Sequence, residues 1–193
     1  IIPSNPAYLV EPFPQDETQR EFLTYEELLA MVNAPCKNQT LRHMFLFSCL
    51  TGLRWGDVEK LLWSEMQHSN ELGYYIRFKQ AKTSGAETLP ISEEAFSLLG
   101  ERGHEDDKVF TGLKYGNWNK TTLKDWLKSA GITKHITFHC GRHTFATLQL
   151  TLGTDIYTVS KLLGHKNLST TEIYAKVIDE KKVEAANRIK LNL

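Results

Sequence analysis

A chain of 193 residues that is 41% hydrophobic and 10% aromatic can bury one sizeable core, and no apolar run in it approaches the length of a membrane span. Its three cysteines, Cys36, Cys49 and Cys140, are far apart, odd in number and in no metal-ligand spacing. That pattern argues against a disulfide-stapled or zinc-bound domain and for reduced thiols in the cytoplasm. The formal net charge is zero, but residues 1–35 hold six acids against one base, which leaves the rest of the chain at +5. A mildly basic body behind an acidic arm permits a nucleic-acid partner without requiring one.

The chain opens on Ile1, and residues 1–22 hold four of the six prolines with no helical period. They are expected to be an extended linker left from a missing upstream domain, with the folded domain occupying 23–193. Thr24 then starts a helix through the capping box "TYEE", with Leu28, Leu29 and Val32 as its apolar face. A second helix runs from about Thr40 and stops at Gly52; a short one is predicted over 56–62. From Met66 to Ile91 the β-favouring runs "YYIRF" and "ETLPI" flank "KQAKTSGA", predicting a small antiparallel sheet with a hairpin at about 83–86. Helices return over about 93–99, 117–130, 140–152 and 155–163, the last three closed by Gly131, Gly153 and Gly164. "STTE" at 169–172 reads as a second capping box, and 179–190 carries Val183, Ala186 and Ile189 at helical spacing. The fold class expected is α+β, mainly α-helical, with a small three-stranded antiparallel sheet.

Ionisable residues stand in awkward places along this plan. "TGLRWGDV" puts Arg54 just beyond a helix-ending glycine with Asp57 three residues on; "KTSG" puts Lys82 at the mouth of a β-turn. "HCGRHTFAT" puts His139 and Arg142 one helical turn apart, and "LLGHKNLSTTEIYAKV" puts His165 after a helix end with Tyr174 nine residues later. Singly, each has a bland reading as a solvated arginine, a surface lysine, a helix-end histidine or a packed tyrosine. Together they hold no carboxylate cluster and no metal-ligand spacing, which speaks against metal-assisted hydrolysis. Two guanidinium forks suit the non-bridging oxygens of a phosphate in transfer. A phenol hydroxyl can attack and become a covalent phosphotyrosine, histidine can move its proton, and lysine can protonate an alkoxide leaving group. The set is complete for phosphodiester attack without metal or cofactor.

Four boxes in this order, over roughly residues 23–193, resemble the catalytic domain of the tyrosine recombinases, the phage-type integrases. The resemblance implies Tyr174 as the nucleophile that forms a 3′-phosphotyrosyl link, and Arg54 and Arg142 as the pair that binds the non-bridging oxygens. It implies Lys82 as general acid for the departing 5′-oxygen, with Lys79 a weaker rival. It makes His139 the acid or base near the nucleophile, His165 a hydrogen-bond donor to the phosphate, and Asp57 a brace behind the site. His143 also follows the family pattern and is expected to be structural. Cys140 and Gly141 depart from the family's commoner acidic or small residue and leucine. The implied partners are double-stranded DNA attachment sites and further copies of the chain in a tetrameric synapse, with helix 179–190 exchanged between protomers and no membrane. The activity implied is integration and recombination of a mobile element's DNA in the cytoplasm, at the nucleoid. A type IB topoisomerase and a catalytically idle DNA-binding module are the alternatives. A short, polar segment near the end of the chain sits at the low-stability end of a fold, so Tyr174 is expected to be mobile without DNA.

Overall fold

The computed structural model describes residues 20–79, 86–113 and 116–174. Helix α1 (Tyr25–Asn33) begins with the expected reciprocal cap: the Glu27 amide donates to Thr24 Oγ1 at 3.2 Å and the Thr24 amide to Glu27 Oε2 at 2.8 Å. Its buried face is Leu28 and Met31. Leu29 and Val32, expected on that face, are instead 44% and 40% exposed. The Trp126 indole N–H fixes the rotation by donating to the carbonyls of Met31 and Ala34 at 3.0 and 3.2 Å, which places Met31 against the core.

Helix α2 (Gln39–Thr51) is capped by Asn38 and ends at Gly52, whose φ of +73° is left-handed. Helix α3 (Trp55–Val58) is shorter than the 56–62 expected. The chain beyond it leaves the helix to pair with a later segment, Val109 N–H donating to Leu61 O at 2.9 Å and Trp63 N–H to Asp107 O at 3.0 Å. Strands β1 (Met66–Ser69), β2 (Gly73–Lys79) and β3 (Ala86–Pro90) form the expected antiparallel sheet in that order. Register places Met66 beside Ile76 and Ile76 beside Leu89, so one buried apolar row crosses all three strands. The last rung is Lys79↔Ala86; the turn expected at 83–86 falls mostly outside the described residues, as does helix 179–190.

Helices α4 (Glu93–Ser97), α5 (Asn117–Ser129), α6 (His139–Thr151) and α7 (Ile156–Leu162) complete the described fold, with the expected glycines after the last three. The core centres on α2 against α6. Phe45 meets Trp126 and Phe138 edge-on, at 5.9 and 5.8 Å between ring centroids. Gly141 lets the two helices close: a Cβ there would lie 2.9 Å from Ser48 Oγ and 3.2 Å from Ser48 Cβ. A smaller cluster of Phe145, Ala146, Leu150, Val159, Leu163 and Tyr174 joins α6 to α7 and to the end of the described chain. The start of the described chain is tied to α6 and to the loop before it: Leu23 N–H donates to Thr144 Oγ1 at 3.0 Å, and Lys134 Nζ donates to Phe22 O at 3.2 Å and to Glu27 Oε2, in α1, at 2.7 Å. Among the described residues no helix is long and apolar enough to cross a membrane.

Candidate active site

Arg142, in the first turn of α6, is buried. Its Nη1 donates to Gly52 O at 2.8 Å and its Nη2 to Leu163 O at 2.6 Å. Those carbonyls end α2 and α7, so two negative helix termini offset the burial of the charge and fix the plane of the fork. Burial, and then the charge of Arg54, push the guanidinium down to about 10, with Tyr174 and Asp57 acting the other way. It therefore stays cationic at neutral pH.

Arg54 is the residue before α3, and its half-exposed side chain reaches toward solvent. Asp57 Oδ2 lies 3.9 Å from Arg54 Nη1 and accepts the Arg54 backbone N–H at 3.4 Å, holding that residue by chain and side chain. A cavity of about 330 Å³ opens there, lined by Arg54, Trp55, Gly56, Thr137, Phe138 and His139. His139 starts α6; burial first, then Arg142, Arg54 and Arg20, hold its imidazole below the ordinary histidine range.

His165 follows α7, its backbone N–H donating to Ser160 O at 3.0 Å and its Nδ1 lying 2.8 Å from Thr171 Oγ1. Burial, with Arg142, Arg54 and Arg20 behind it, pushes this imidazole down to about 4. Tyr174 ends the 3₁₀ turn Glu172–Tyr174, its ring buried in the Phe145–Leu163 cluster. Its hydroxyl lies 2.6 Å from His143 Nδ1. Burial raises the phenol's pKa, and Arg142, Arg20 and Arg54 partly offset that rise. The segment ahead of it is a 3₁₀ turn, Leu168–Thr170, with Ser169 inside it, so the helix cap expected at Ser169 is not formed. Thr171 takes over: it is fully buried, its N–H donates to Leu168 O at 2.7 Å, and its hydroxyl meets His165. In this structure Tyr174 is docked through its ring and its hydroxyl.

Arg54, His139, Arg142, His165 and Tyr174 are thus brought into one neighbourhood, close enough that the two guanidiniums act on both histidines and on the phenol. Lys82 lies outside the described residues, as does the side chain of Lys79. Two participants, Arg20 and Thr171, went unread in the sequence, and a third, His143, was expected to be structural. Arg20 sits in the stretch taken as linker, yet its charge reaches His139, His143, His165 and Tyr174. Thr171 gave no signal. His143 did give one: it is four residues after His139 on the same helix, and the two rings meet edge-on at 4.6 Å between centroids.

The chain is similar to known proteins in sequence and in fold. The phage integrase family matches residues 21–181. A tyrosine recombinase of Thermosipho africanus (strain TCF52B) is 29% identical over 177 residues, covering 88% of this chain and 62% of the relative. The chain therefore spans less than two thirds of that relative's length. The catalytic domain of bacteriophage HP1 integrase superposes with a TM-score of 0.60 at 25% identity, over 88% of this chain and 98% of that one. A XerH site-specific recombinase bound to palindromic difH substrate superposes with a TM-score of 0.70 at 22% identity, over 89% of this chain and 54% of that one, a likeness of fold.

Proposed function

The chain belongs to the phage integrase family, and from that membership we propose a metal-independent tyrosine recombinase that cuts and rejoins double-stranded DNA at attachment sites of a mobile element. In this reading residues 23–193 are the catalytic domain and residues 1–22 the linker to a further DNA-binding domain. The near-complete overlap with the HP1 integrase catalytic domain supports that division.

The scissile phosphate sits between Arg54 and Arg142, whose forks bind its two non-bridging oxygens and stabilise the charge that builds as the phosphorus becomes five-coordinate. Tyr174 Oη attacks in line, giving a 3′-phosphotyrosyl link and freeing the 5′-oxygen, which takes a proton from Lys82. His139, at the cavity wall beside Arg54, works at the reacting phosphate as acid or base. His165 donates from Nε2 to a phosphate oxygen, its Nδ1 being held by Thr171. Asp57 keeps Arg54 in place. A 5′-hydroxyl from a partner strand reverses the step and completes the exchange. Four copies in a synapse, linked through exchanged C-terminal segments, would supply the partner strands, at the nucleoid in the cytoplasm.

The observation that carries this reading is the gathering of cationic and neutral donors around Arg142, at the N-terminal end of α6, with the Tyr174 hydroxyl among them. The test is a duplex attachment site nicked so that the cleaved 5′ strand diffuses away. We expect a covalent protein–DNA band on a denaturing gel that persists in chelator and disappears in Tyr174→Phe. A gel shift without that band would indicate a DNA-binding module, and relaxation of supercoiled DNA without recombinant product would indicate a topoisomerase.

A further inference from the structure

His143 is a buried titratable group that the roles above leave idle. It is 6% exposed, and its Nδ1 stands 2.6 Å from Tyr174 Oη, a short hydrogen bond to the very oxygen that must form the new bond to phosphorus. His139 is placed differently. It lines the cavity with Arg54 and meets His143 edge-on, at an interplanar angle of 88°. Two histidines one helical turn apart thus divide the space, one toward the cavity and one on the nucleophile.

The geometry points to His143 as the group that takes the Tyr174 proton: Nδ1 accepts the hydroxyl hydrogen in the resting enzyme and receives it outright as Oη bonds to phosphorus. This rests on Tyr174 being the nucleophile. The balance is complete. Oη–H breaks and Oη–P forms; the proton passes to His143, which becomes imidazolium. The P–O5′ bond breaks, and the departing oxygen takes a separate proton from Lys82. In rejoining, the attacking 5′-hydroxyl gives its proton back to the neutral Lys82 amine as O5′–P forms, Oη–P breaks, and the imidazolium returns its proton to the tyrosinate.

The surroundings keep the acceptor lone pair available. Burial first, then His139 on the same helix, Arg20 from the N-terminal segment and Arg142 on the same helix, push the His143 imidazole down to about 4. It is neutral at pH 7, and a neutral ring bonded at Nδ1 by a phenol, itself un-ionised through burial, carries its own hydrogen on Nε2. A scissile phosphate brought between the arginines adds negative charge beside those cations, so the affinity of His143 for a proton rises as the proton is released.

The test compares two DNA substrates with the full-length protein, its His143→Ala and His143→Asn variants, and Tyr174→Phe. Asparagine keeps an acceptor oxygen near the place of Nδ1 but takes no proton. On the nicked attachment site we expect both His143 variants to form the covalent band roughly 10²–10³-fold more slowly than wild type. The second substrate carries a p-nitrophenyl ester on its 3′-phosphate in place of the tyrosine. Attack by a 5′-hydroxyl then expels nitrophenolate, which needs no proton. Measured in the Tyr174→Phe background, where only the 5′-hydroxyl can attack, the His143 variants should release nitrophenolate at the rate of Tyr174→Phe alone. Wild-type cleavage in His143→Asn would make the residue a mere docking contact and overturn the inference. An equal fall on both substrates would make it structural and overturn it too. If wild type forms no covalent band and releases no nitrophenolate, the recombinase reading beneath it fails.

Discussion

Gly52 links the fold to the site, and Gly52→Ala measures that link. The residue sits at φ +73°, and a Cβ added there would lie 2.7 Å from Phe145 Cδ1 and 2.8 Å from Leu163 Cδ2. Its carbonyl also receives Arg142 Nη1 at 2.8 Å. A left-handed alanine costs about 1–2 kcal/mol, and the overpacking against two core side chains adds about 1–3 kcal/mol. The sum is roughly 2–5 kcal/mol, which at about 2–4 °C per kcal/mol for a chain of this size lowers Tm by about 4–20 °C. Gly131→Ala is the control: it too follows a helix, at φ +75°, but nothing lies within 4 Å of its added Cβ, so it should show only the backbone part, about 1–2 kcal/mol. Differential scanning calorimetry gives both Tm values, and the nicked-substrate gel gives cleavage. Gly52→Ala should lose more Tm and, through the displaced Arg142, more cleavage at temperatures where both variants are folded. Equal losses of Tm would refute the packing argument; undiminished cleavage would refute the coupling of Gly52 O to the arginine.

Other outcomes follow from the same geometry. Arg142→Lys keeps a charge but not two donors to Gly52 O and Leu163 O with a face left for phosphate; covalent-complex formation should fall about 10²–10³-fold while duplex binding by gel shift stays close to wild type, because one phosphate contact is a small part of the interface. Lys82→Ala should be rescued by a substrate with sulfur in place of the bridging 5′-oxygen, and a failure of that rescue would turn attention to Lys79. Trp126→Phe removes the donor to Met31 O and Ala34 O and should destabilise the chain by about 1–3 kcal/mol, read by urea titration, with little change in cleavage per folded molecule. The imidazoles of His143 and His165 are held down to about 4. An unfolded histidine titrates near 6.5, so the unfolded state binds more protons between those values. Stability is then fully present above about pH 6.5 and is lost as pH falls toward 4, and Tm against pH should be flatter over that window in His143→Asn.

What the sequence made legible was local chemistry. Gly52, Gly131, Gly153 and Gly164 marked helix ends because left-handed backbone is a property of single residues. Thr24 and Glu27 marked a helix start because a reciprocal cap is contained in four residues. The strands were readable from β-branched and aromatic runs, and their register then followed from the row Met66, Ile76 and Leu89. What depended on distant partners was not legible. Leu29 and Val32 are as apolar as Leu28 and Met31, and the carbonyls that Trp126 binds, 95 and 92 positions away, decided which pair went inside. Gly141 stood out in the sequence only as a departure from a commoner leucine; the nearness of Ser48 makes it the residue that lets α2 and α6 meet. Ser169 and Glu172 spell a cap, yet that stretch is wound into 3₁₀ turns and ends with Tyr174 packed in the α6–α7 cluster. Arg54, Arg142 and Tyr174 were each readable as residues fit for phosphate chemistry. That they share one field is a fact of tertiary structure.

The central claim is that Arg142 meets a non-bridging oxygen of the phosphate that Tyr174 attacks. Replacing one such oxygen by methyl removes the charge the arginine answers, so covalent-complex formation by Arg142→Ala should be restored, at least tenfold, by a methylphosphonate at the scissile position and by none at neighbouring positions. A methylphosphonate that leaves Arg142→Ala as inactive as on ordinary DNA, while wild type still cleaves it, would contradict the account.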